Sequence, residues 1–235
     1  MKFFRGVLWA VCFLNGMAHA DDFILSYWCG PPAGENLDQR YAEIAECNFN
    51  YAMMACGGGP KNREILDACQ KHGLKYILYD ARIMAFAPEN PAFKTNLDAV
   101  IFDYAKHPAL GGYYIADEPG MGAFPQLGGI NQYLLVKDPK RLPFINLLPN
   151  HAPEWALTVP YEKHVEKYLE TVKPRLVCFD HYGLMIDDTV RPIFFENLEI
   201  IRRQSLKHDA PFGFIFQITP HGPYRDPSES DLRWQ

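Results

Sequence analysis

The sequence predicts a parallel α/β fold, specifically a (β/α)8 barrel of the TIM type that is truncated after its seventh strand. From Phe23 onward, short apolar strand segments alternate with amphipathic helical stretches. The strand segments begin 25 to 37 residues apart, which leaves room each time for a strand, a helix and a return, so the strands should be parallel. Cys29-Gly30-Pro31-Pro32, after the first segment, lacks the G-x-G-x-x-G phosphate turn of an open nucleotide-binding sheet.

The first 20 residues have the pattern of a secretory signal peptide. Lys2 and Arg5 precede an apolar run over 7–14, and Ala18-His19-Ala20 forms an A-x-A cleavage site. This run is too short to span a bilayer. We therefore expect a signal peptide over 1–20 and a single barrel domain over 21–235, secreted or periplasmic, with no membrane association after cleavage.

Composition excludes several classes of function. Without the signal peptide the chain has 215 residues and a formal charge of −7, which argues against nucleic acid as a partner. The five cysteines that remain are odd in number and show no C-x-x-C spacing, so neither a full disulfide framework nor a zinc site is expected, although one bridge could form. No histidine pair at i, i+4 is joined by a third ligand, so no metal or other cofactor is predicted. Oligomeric state is not indicated.

The elements follow from local signals in chain order. Helices are expected to begin at Asn36, a capping residue, and to end before Gly73, while the stretch from Gly120 to Gly129 is expected to be a loop. A last helix should begin at Ser228; since a complete barrel has about 250 residues, the chain is expected to be a fragment without its eighth strand. The predicted strands are Phe23–Trp28, Asn50–Ala55, Lys75–Tyr79, Gly112–Ala116, Pro143–Leu148, Arg175–Phe179 and Phe212–Gln217, and further helices are Lys61–His72, Asn96–Lys106, Glu162–Val172 and Phe194–Lys207.

Polar and aromatic residues gather at the ends of these strands, where (β/α) barrels place their active sites. A barrel with a purely structural role needs no such set on one rim, so the set indicates a binding or catalytic cleft. The candidates are Trp28, Asp80, Asp117, Glu118, Asn146, Asp180, His181, Tyr182 and Gln217.

The stretch from Gly111 to Gly120 is the most informative of these strand ends. A buried aromatic strand ends in Asp117 and Glu118 before Pro119 stops it. Since side chains alternate along a strand, one carboxylate should point into the barrel and the other toward neighbouring structure. An acidic pair before Pro-Gly is also typical of a solvated turn.

Two other candidates have a structural alternative. Asp80 could form a local ion pair with Arg82 instead of binding substrate, and Trp28 could fill the core instead of stacking on a sugar.

The Trp-bearing first strand, the Gly-Tyr-Tyr-Ile-Ala-Asp-Glu-Pro strand and the Asp-His-Tyr strand resemble the (β/α)-barrel glycoside hydrolases of clan A and their β-galactosidase-like relatives. The resemblance covers roughly Phe23 to Gln235. It implies a carbohydrate substrate and makes Glu118 the general acid/base, with Asp117 where the clan has Asn. It also implies that His181 and Tyr182 hold the sugar or the nucleophile.

The resemblance places the nucleophile at the end of the seventh strand, where this chain has Gln217, which cannot form a glycosyl ester. Asp180 or Asp80 could serve as nucleophile or base, or the missing eighth strand could supply the residue. Alternatively, the adjacent Asp117 and Glu118 resemble the hexosaminidases of families 20 and 123, in which Asp orients the substrate's acetamido group as internal nucleophile. A non-catalytic carbohydrate-binding barrel is the remaining alternative.

Overall fold

The computed structural model describes residues 23–32, 36–55, 61–84 and 93–235, so the predicted signal peptide over 1–20 lies outside the described residues. Within these ranges the chain forms one parallel sheet of six strands flanked by helices. The strands are β1 Tyr51–Ala52, β2 Lys75–Leu78, β3 Leu110–Asp117, β4 Leu142–Leu147, β5 Val177–Asp180 and β6 Phe212–Ile215.

The strands lie side by side in the order of the sequence, β1-β2-β3-β4-β5-β6, and every neighbouring pair is parallel. A doubly wound sheet would reverse its strand order at a switch point. Sequential order is that of a (β/α) barrel, and the six strands form a half-barrel. The parallel α/β prediction is therefore confirmed at this level.

The predicted first strand, Phe23–Trp28, is not a strand in the structure. Its chain lies beside β1, and the Tyr51 N–H donates to the Leu25 carbonyl at 3.2 Å. The Leu25 N–H, however, donates to the side-chain oxygen of Asn50 at 2.8 Å instead of to a backbone carbonyl. Because a side chain interrupts the backbone ladder, the described sheet has six strands where seven were predicted.

The helices largely match their predicted positions. The Asn36 side chain accepts from the Gln39 N–H, Gly73 has a φ of 73°, and Ser228 forms a capping box with Asp231, as their sequence signals indicate. The helices are α1 Leu37–Glu46, α2 Asn62–Lys71, α3 Ala81–Met84, α4 Phe93–Tyr104, α5 Phe124–Lys137, α6 Glu154–Leu157, α7 Tyr161–Val172, α8 Phe194–Lys207 and α9 Glu229–Trp234.

The loop predicted from Gly120 to Gly129 is wrong over its second half, because α5 begins at Phe124. Phe124, Leu127 and Ile130 recur at helical spacing and are buried against the rest of the core. Gly128 weakens the helical signal in the sequence, but the fold requires a glycine at this position. A Cβ there would lie 2.7 Å from the carbonyl oxygen of Thr171. The glycine thus permits close approach of α5 and α7.

Both faces of the sheet are covered, as expected for parallel strands. Tyr113 and Ile115 of β3 pack under the helices, whereas Tyr114 faces the concave side. The concave cluster contains Met53, Ile77, Tyr114, Leu142, Phe144 and Cys178, with Trp28 packed against it. Cys29 is disulfide-bonded. In the described parts of the chain, no helix has the length and apolar character needed to cross a bilayer.

Candidate active site

A β-bulge in β3 decides which way Asp117 points. Tyr114 pairs with Phe144, but Asp117 pairs with Asn146, so β3 uses one more residue than β4 over this stretch. Residues paired across parallel strands share a face, and Asn146 lies two residues beyond Phe144 on the concave face. Without the bulge, strict alternation would place Asp117 under the helices with Tyr113. The bulge brings Asp117 to the cleft, where its carboxylate accepts from Asn146 Nδ2 at 3.0 Å.

The next residue, Glu118, has a left-handed backbone with a φ of 45°, which is uncommon and costly for a residue other than glycine. Its N–H donates to the Asn146 carbonyl at 2.8 Å, which holds this conformation. The turn brings the Glu118 side chain to the cleft as well, beside the carboxyl group of Asp180 at the end of β5. The expectation that only one of the two adjacent carboxylates points inward is therefore wrong, since the bulge and the left-handed turn bring both to the site.

Burial raises the pKa of each of the three carboxyl groups, and neighbouring carboxylates raise those of Glu118 and Asp180 further. Partial burial, the charges of Asp180 and Asp117, and the hydrogen bond to Asp180 raise the pKa of Glu118 to about 7. Burial and the charge of Asp117 raise the pKa of Asp180 to about 6, against the opposing hydrogen bond from Asn146. Burial also raises the pKa of Asp117. Glu118 and Asp180 therefore both titrate well above the ordinary range of carboxyl groups.

Asp180 is the less accessible member of the pair. Its residue is only 6% exposed, whereas Glu118 is open to solvent. Burial and the charge of Asp180 raise the pKa of the neighbouring Tyr182 far above its ordinary value, so its hydroxyl stays protonated. Glu118 is therefore the member that can reach a ligand.

His181 is buried and held in one tautomer. Asn197 Oδ1 accepts from the Asn150 N–H at 2.7 Å and lies 3.0 Å from His181 Nδ1, so Nδ1 must carry the hydrogen. Burial and the charge of Arg191 outweigh the hydrogen bond that His181 donates to Asn197 and lower the pKa of His181 to about 4, so the ring is neutral with an acceptor at Nε2. The ring contacts that of His151 at a centroid distance of 4.7 Å.

Two residues at this end of the sheet were not among the predicted site residues. His151 follows β4 and lies against His181; its position just after a strand was the available signal. Tyr79 follows β2, is 40% exposed and packs edge-on against Tyr114 at 6.1 Å. Trp28 packs against the same Tyr114 ring at 5.9 Å and is half-buried, so it belongs to the aromatic floor of the cleft.

Two of the predicted substrate contacts, Asp80 and Gln217, have hydrogen-bond partners within the chain. Both oxygens of Asp80 accept from Arg82, at 2.9 and 2.7 Å, and Arg82 also pairs with Asp103 at 2.8 Å. Burial would raise the pKa of Asp80, but the hydrogen bonds from Arg82 lower it overall. The structure thus favours the ion-pair alternative at this position.

Gln217 is 1% exposed, and its amide is occupied by backbone groups. Its oxygen accepts from the Leu184 N–H at 3.2 Å, and its nitrogen donates to the Arg225 carbonyl at 2.5 Å. It therefore ties together the segments that follow β5 and β6 and has no free group to offer a sugar.

In the described parts of the chain, no three side chains of His, Cys, Asp or Glu are grouped so that they could hold a metal ion. No protein-family model and no curated protein matches the sequence.

Solved structures share the fold at low sequence identity. A GH10 xylanase from Thermobacillus composti matches with a TM-score of 0.55 and 13% identity, over 88% of this chain and 75% of that one. The intracellular xylanase TsXylA from Thermoanaerobacterium saccharolyticum, solved as a mutant complex with xylotriose, matches with a TM-score of 0.54 and 14% identity over 90% and 78%. The chain therefore has the parallel α/β-barrel fold that these glycoside hydrolases have.

Coverage is uneven among these structures. The FMN-binding β-glucuronidase from Facaelibacterium prausnitzii L2-6 has 15% identity and a TM-score of 0.47, and this chain covers 79% of its own length but only 28% of that enzyme.

Proposed function

We propose that this protein hydrolyses glycosidic bonds of a polysaccharide or oligosaccharide, with Glu118 as general acid/base. The observation that carries the proposal is the group of three carboxylates, Asp117, Glu118 and Asp180, at neighbouring strand ends. Because partial burial and the two neighbouring carboxylates raise the pKa of Glu118 to about 7, this carboxyl group can hold a proton at neutral pH and release it to a substrate. The shared fold with xylanases supports a carbohydrate substrate.

In this mechanism Glu118 protonates the departing glycosidic oxygen as the bond from that oxygen to C1 breaks, and Asp180 either takes up C1 as a glycosyl ester or removes a proton from the water that attacks C1. Where the ester forms, Glu118, now a carboxylate, removes a proton from the water that then displaces Asp180 from C1. The charge of Asp180 helps to keep Glu118 protonated before the reaction.

The separation of Glu118 from a second carboxyl group bears on the choice of mechanism. Retaining glycosidases separate their carboxyl groups by about 5–5.5 Å, and inverting ones by about 6.5–9.5 Å. Asp180, whose charge helps to raise the pKa of Glu118, is the candidate for that second carboxyl group.

A second candidate is substrate-assisted cleavage of an N-acetylated hexosamine. Asp117 supports it, because the bulge brings its carboxylate to the cleft directly beside Glu118 and Asn146 holds it there. Asp117 would orient the acetamido group as the internal nucleophile, so no second carboxylate is required.

We also propose that the protein acts outside the cytoplasm, as a secreted or periplasmic enzyme. Disulfide-bonded Cys29 supports this, since such bonds persist in oxidising compartments.

The test is hydrolysis of 4-methylumbelliferyl glycosides of xylose, glucose, mannose and N-acetylglucosamine, and of xylan and glycol chitin, by the full chain. We expect Glu118→Gln to lower kcat at least 100-fold on whichever substrate is cleaved. Glu46→Gln, in an exposed carboxylate of α1, is the matched control and should be unchanged. Undiminished cleavage by Glu118→Gln contradicts the assignment, and cleavage of only the N-acetylated substrates selects the second candidate. Binding without cleavage by the unmodified chain would indicate a non-catalytic carbohydrate-binding barrel.

A further inference from the structure

Trp155 is an exposed indole on an anchored element. Its residue is 82% exposed, whereas the next two residues of α6, Ala156 and Leu157, are 9% and 6% exposed. The Leu157 N–H donates to the Pro153 carbonyl at 3.2 Å, and the Leu157 carbonyl lies 3.3 Å from a ring nitrogen of His164. The backbone that carries Trp155 is therefore fixed, although its ring is almost entirely in solvent.

Single exposed aromatic side chains are common on proteins, so the position of Trp155 matters more than its exposure. The helix α6 follows β4 and so lies at the strand ends that carry the candidate active site. A Cβ added to Gly120 would lie 3.1 Å from the carbonyl oxygen of Ala156, which shows how closely α6 approaches the turn after β3. Gly120 is two residues beyond Glu118, and Ala156 is the residue next to Trp155.

A second exposed aromatic residue stands on the other side of Glu118. Tyr79 follows β2, is 40% exposed and is supported from below by the ring of Tyr114. The sheet order places β3 between β2 and β4, so Glu118, which follows β3, lies between Tyr79, which follows β2, and Trp155, which follows β4.

We propose that Trp155 is a sugar-binding platform of a cleft that extends to both sides of Glu118, with Tyr79 as the platform on the opposite side. The ligand is a glycan whose chain continues past the reacting bond in both directions, because the two platforms lie on opposite sides of Glu118. The flat apolar face of an aromatic ring stacks on the CH face of a pyranose, and this contact can form with many different sugars. This inference rests on the proposed function, because it takes Glu118 as the point of cleavage.

The test separates binding from chemistry. The Glu118→Gln protein is run through native gels that contain xylan, glucomannan, carboxymethylcellulose or glycol chitin, and the retardation gives a Kd for each polymer. Trp155→Ala is compared in that background with Trp155→Phe, which keeps a ring. The matched control is Phe102→Ala, because Phe102 is 81% exposed but lies near the C-terminal end of α4, at the opposite end of the sheet.

We expect at least one polymer to retard the protein, and Trp155→Ala to weaken that binding about tenfold. Trp155→Phe should retain most of the binding, and Phe102→Ala should match the parent. Tyr79→Ala should weaken binding of the hexasaccharide prepared from the polymer that retards the protein more than it weakens binding of the disaccharide prepared from the same polymer. Equal retardation of Trp155→Ala and its parent overturns the platform, as does the absence of retardation in all four gels. Neither result bears on Glu118, whose role is decided separately by the hydrolysis rates of the unmodified chain.

Discussion

Replacing Asp180 by Asn should lower the pKa of Glu118, and this prediction tests the paired carboxyl groups without any substrate. The structure raises that pKa from its ordinary 4.5 to about 7, and each pH unit corresponds to about 1.4 kcal/mol. Partial burial is the largest cause and survives the substitution, and Glu118 is open to solvent, which screens the remaining charge effects. We therefore attribute about 1 kcal/mol to Asp180 and expect the Glu118 midpoint to fall by roughly 0.7 pH unit.

The measurement is a carbon-13 NMR titration of protein labelled at the glutamate side-chain carboxyl group, between pH 3 and pH 9. The resonance of Glu118 is identified by its loss in Glu118→Gln. The matched control is Asp187→Asn, the same chemical change in an exposed aspartate that bonds to Thr189. A Glu118 midpoint that is the same with and without Asp180, or that lies near 4.5 in the unmodified protein, would refute the reasoning.

Three further predictions concern stability, each measured by urea unfolding. Because folding raises the pKa of Glu118, the contribution of Glu118 to stability is present below about pH 4.5 and is lost as the pH rises through about 7. The Glu118→Gln protein should therefore unfold at a higher urea concentration than the unmodified protein at pH 8, but not at pH 4. Equal differences at the two pH values would contradict this. Arg82→Ala leaves the buried Asp80 carboxylate without its cation and should lower the free energy of unfolding by about 2 kcal/mol. An unchanged free energy of unfolding would show that the ion pair does not stabilise the fold. Gly128→Ala should cost about 1–3 kcal/mol, because its Cβ would meet the Thr171 carbonyl, and an unchanged midpoint would mean that α5 can shift without penalty.

Local sequence signals were sufficient for most of the secondary structure. The helix over Phe194–Lys207 is found at its predicted bounds, and the caps at Asn36 and Ser228 form as their residue types indicate. The α5 helix was missed because Gly128 and Gly129 weaken helical propensity. Gly128 is required by its contact with Thr171 of α7, which lies 43 residues further along the chain.

The strand-end residues show where local signals stop being informative about the site. The position of Asp117, Glu118 and Asp180 at strand ends follows from the apolar runs that precede them, since parallel strands bring their carboxyl ends to one edge. Gln217 and Asp80 occupy equivalent places in the sequence, yet one is tied to backbone groups and the other to Arg82. A polar residue after a strand can serve either purpose, and only its partners distinguish the two.

The sequence by itself determined the parallel α/β class, most of the helices and strands and the edge of the sheet on which the polar side chains lie, because periodicity, caps and turn residues act over a few residues. The tertiary structure alone decided that Asp117 faces the cleft, that Glu118 turns back in a left-handed conformation, and that its carboxyl group meets Asp180. The bulge is a difference in register between β3 and β4, and the carboxyl pair joins residues 62 positions apart. Such contacts depend on how separate strands align, which is set by packing across the whole sheet and not by any one segment.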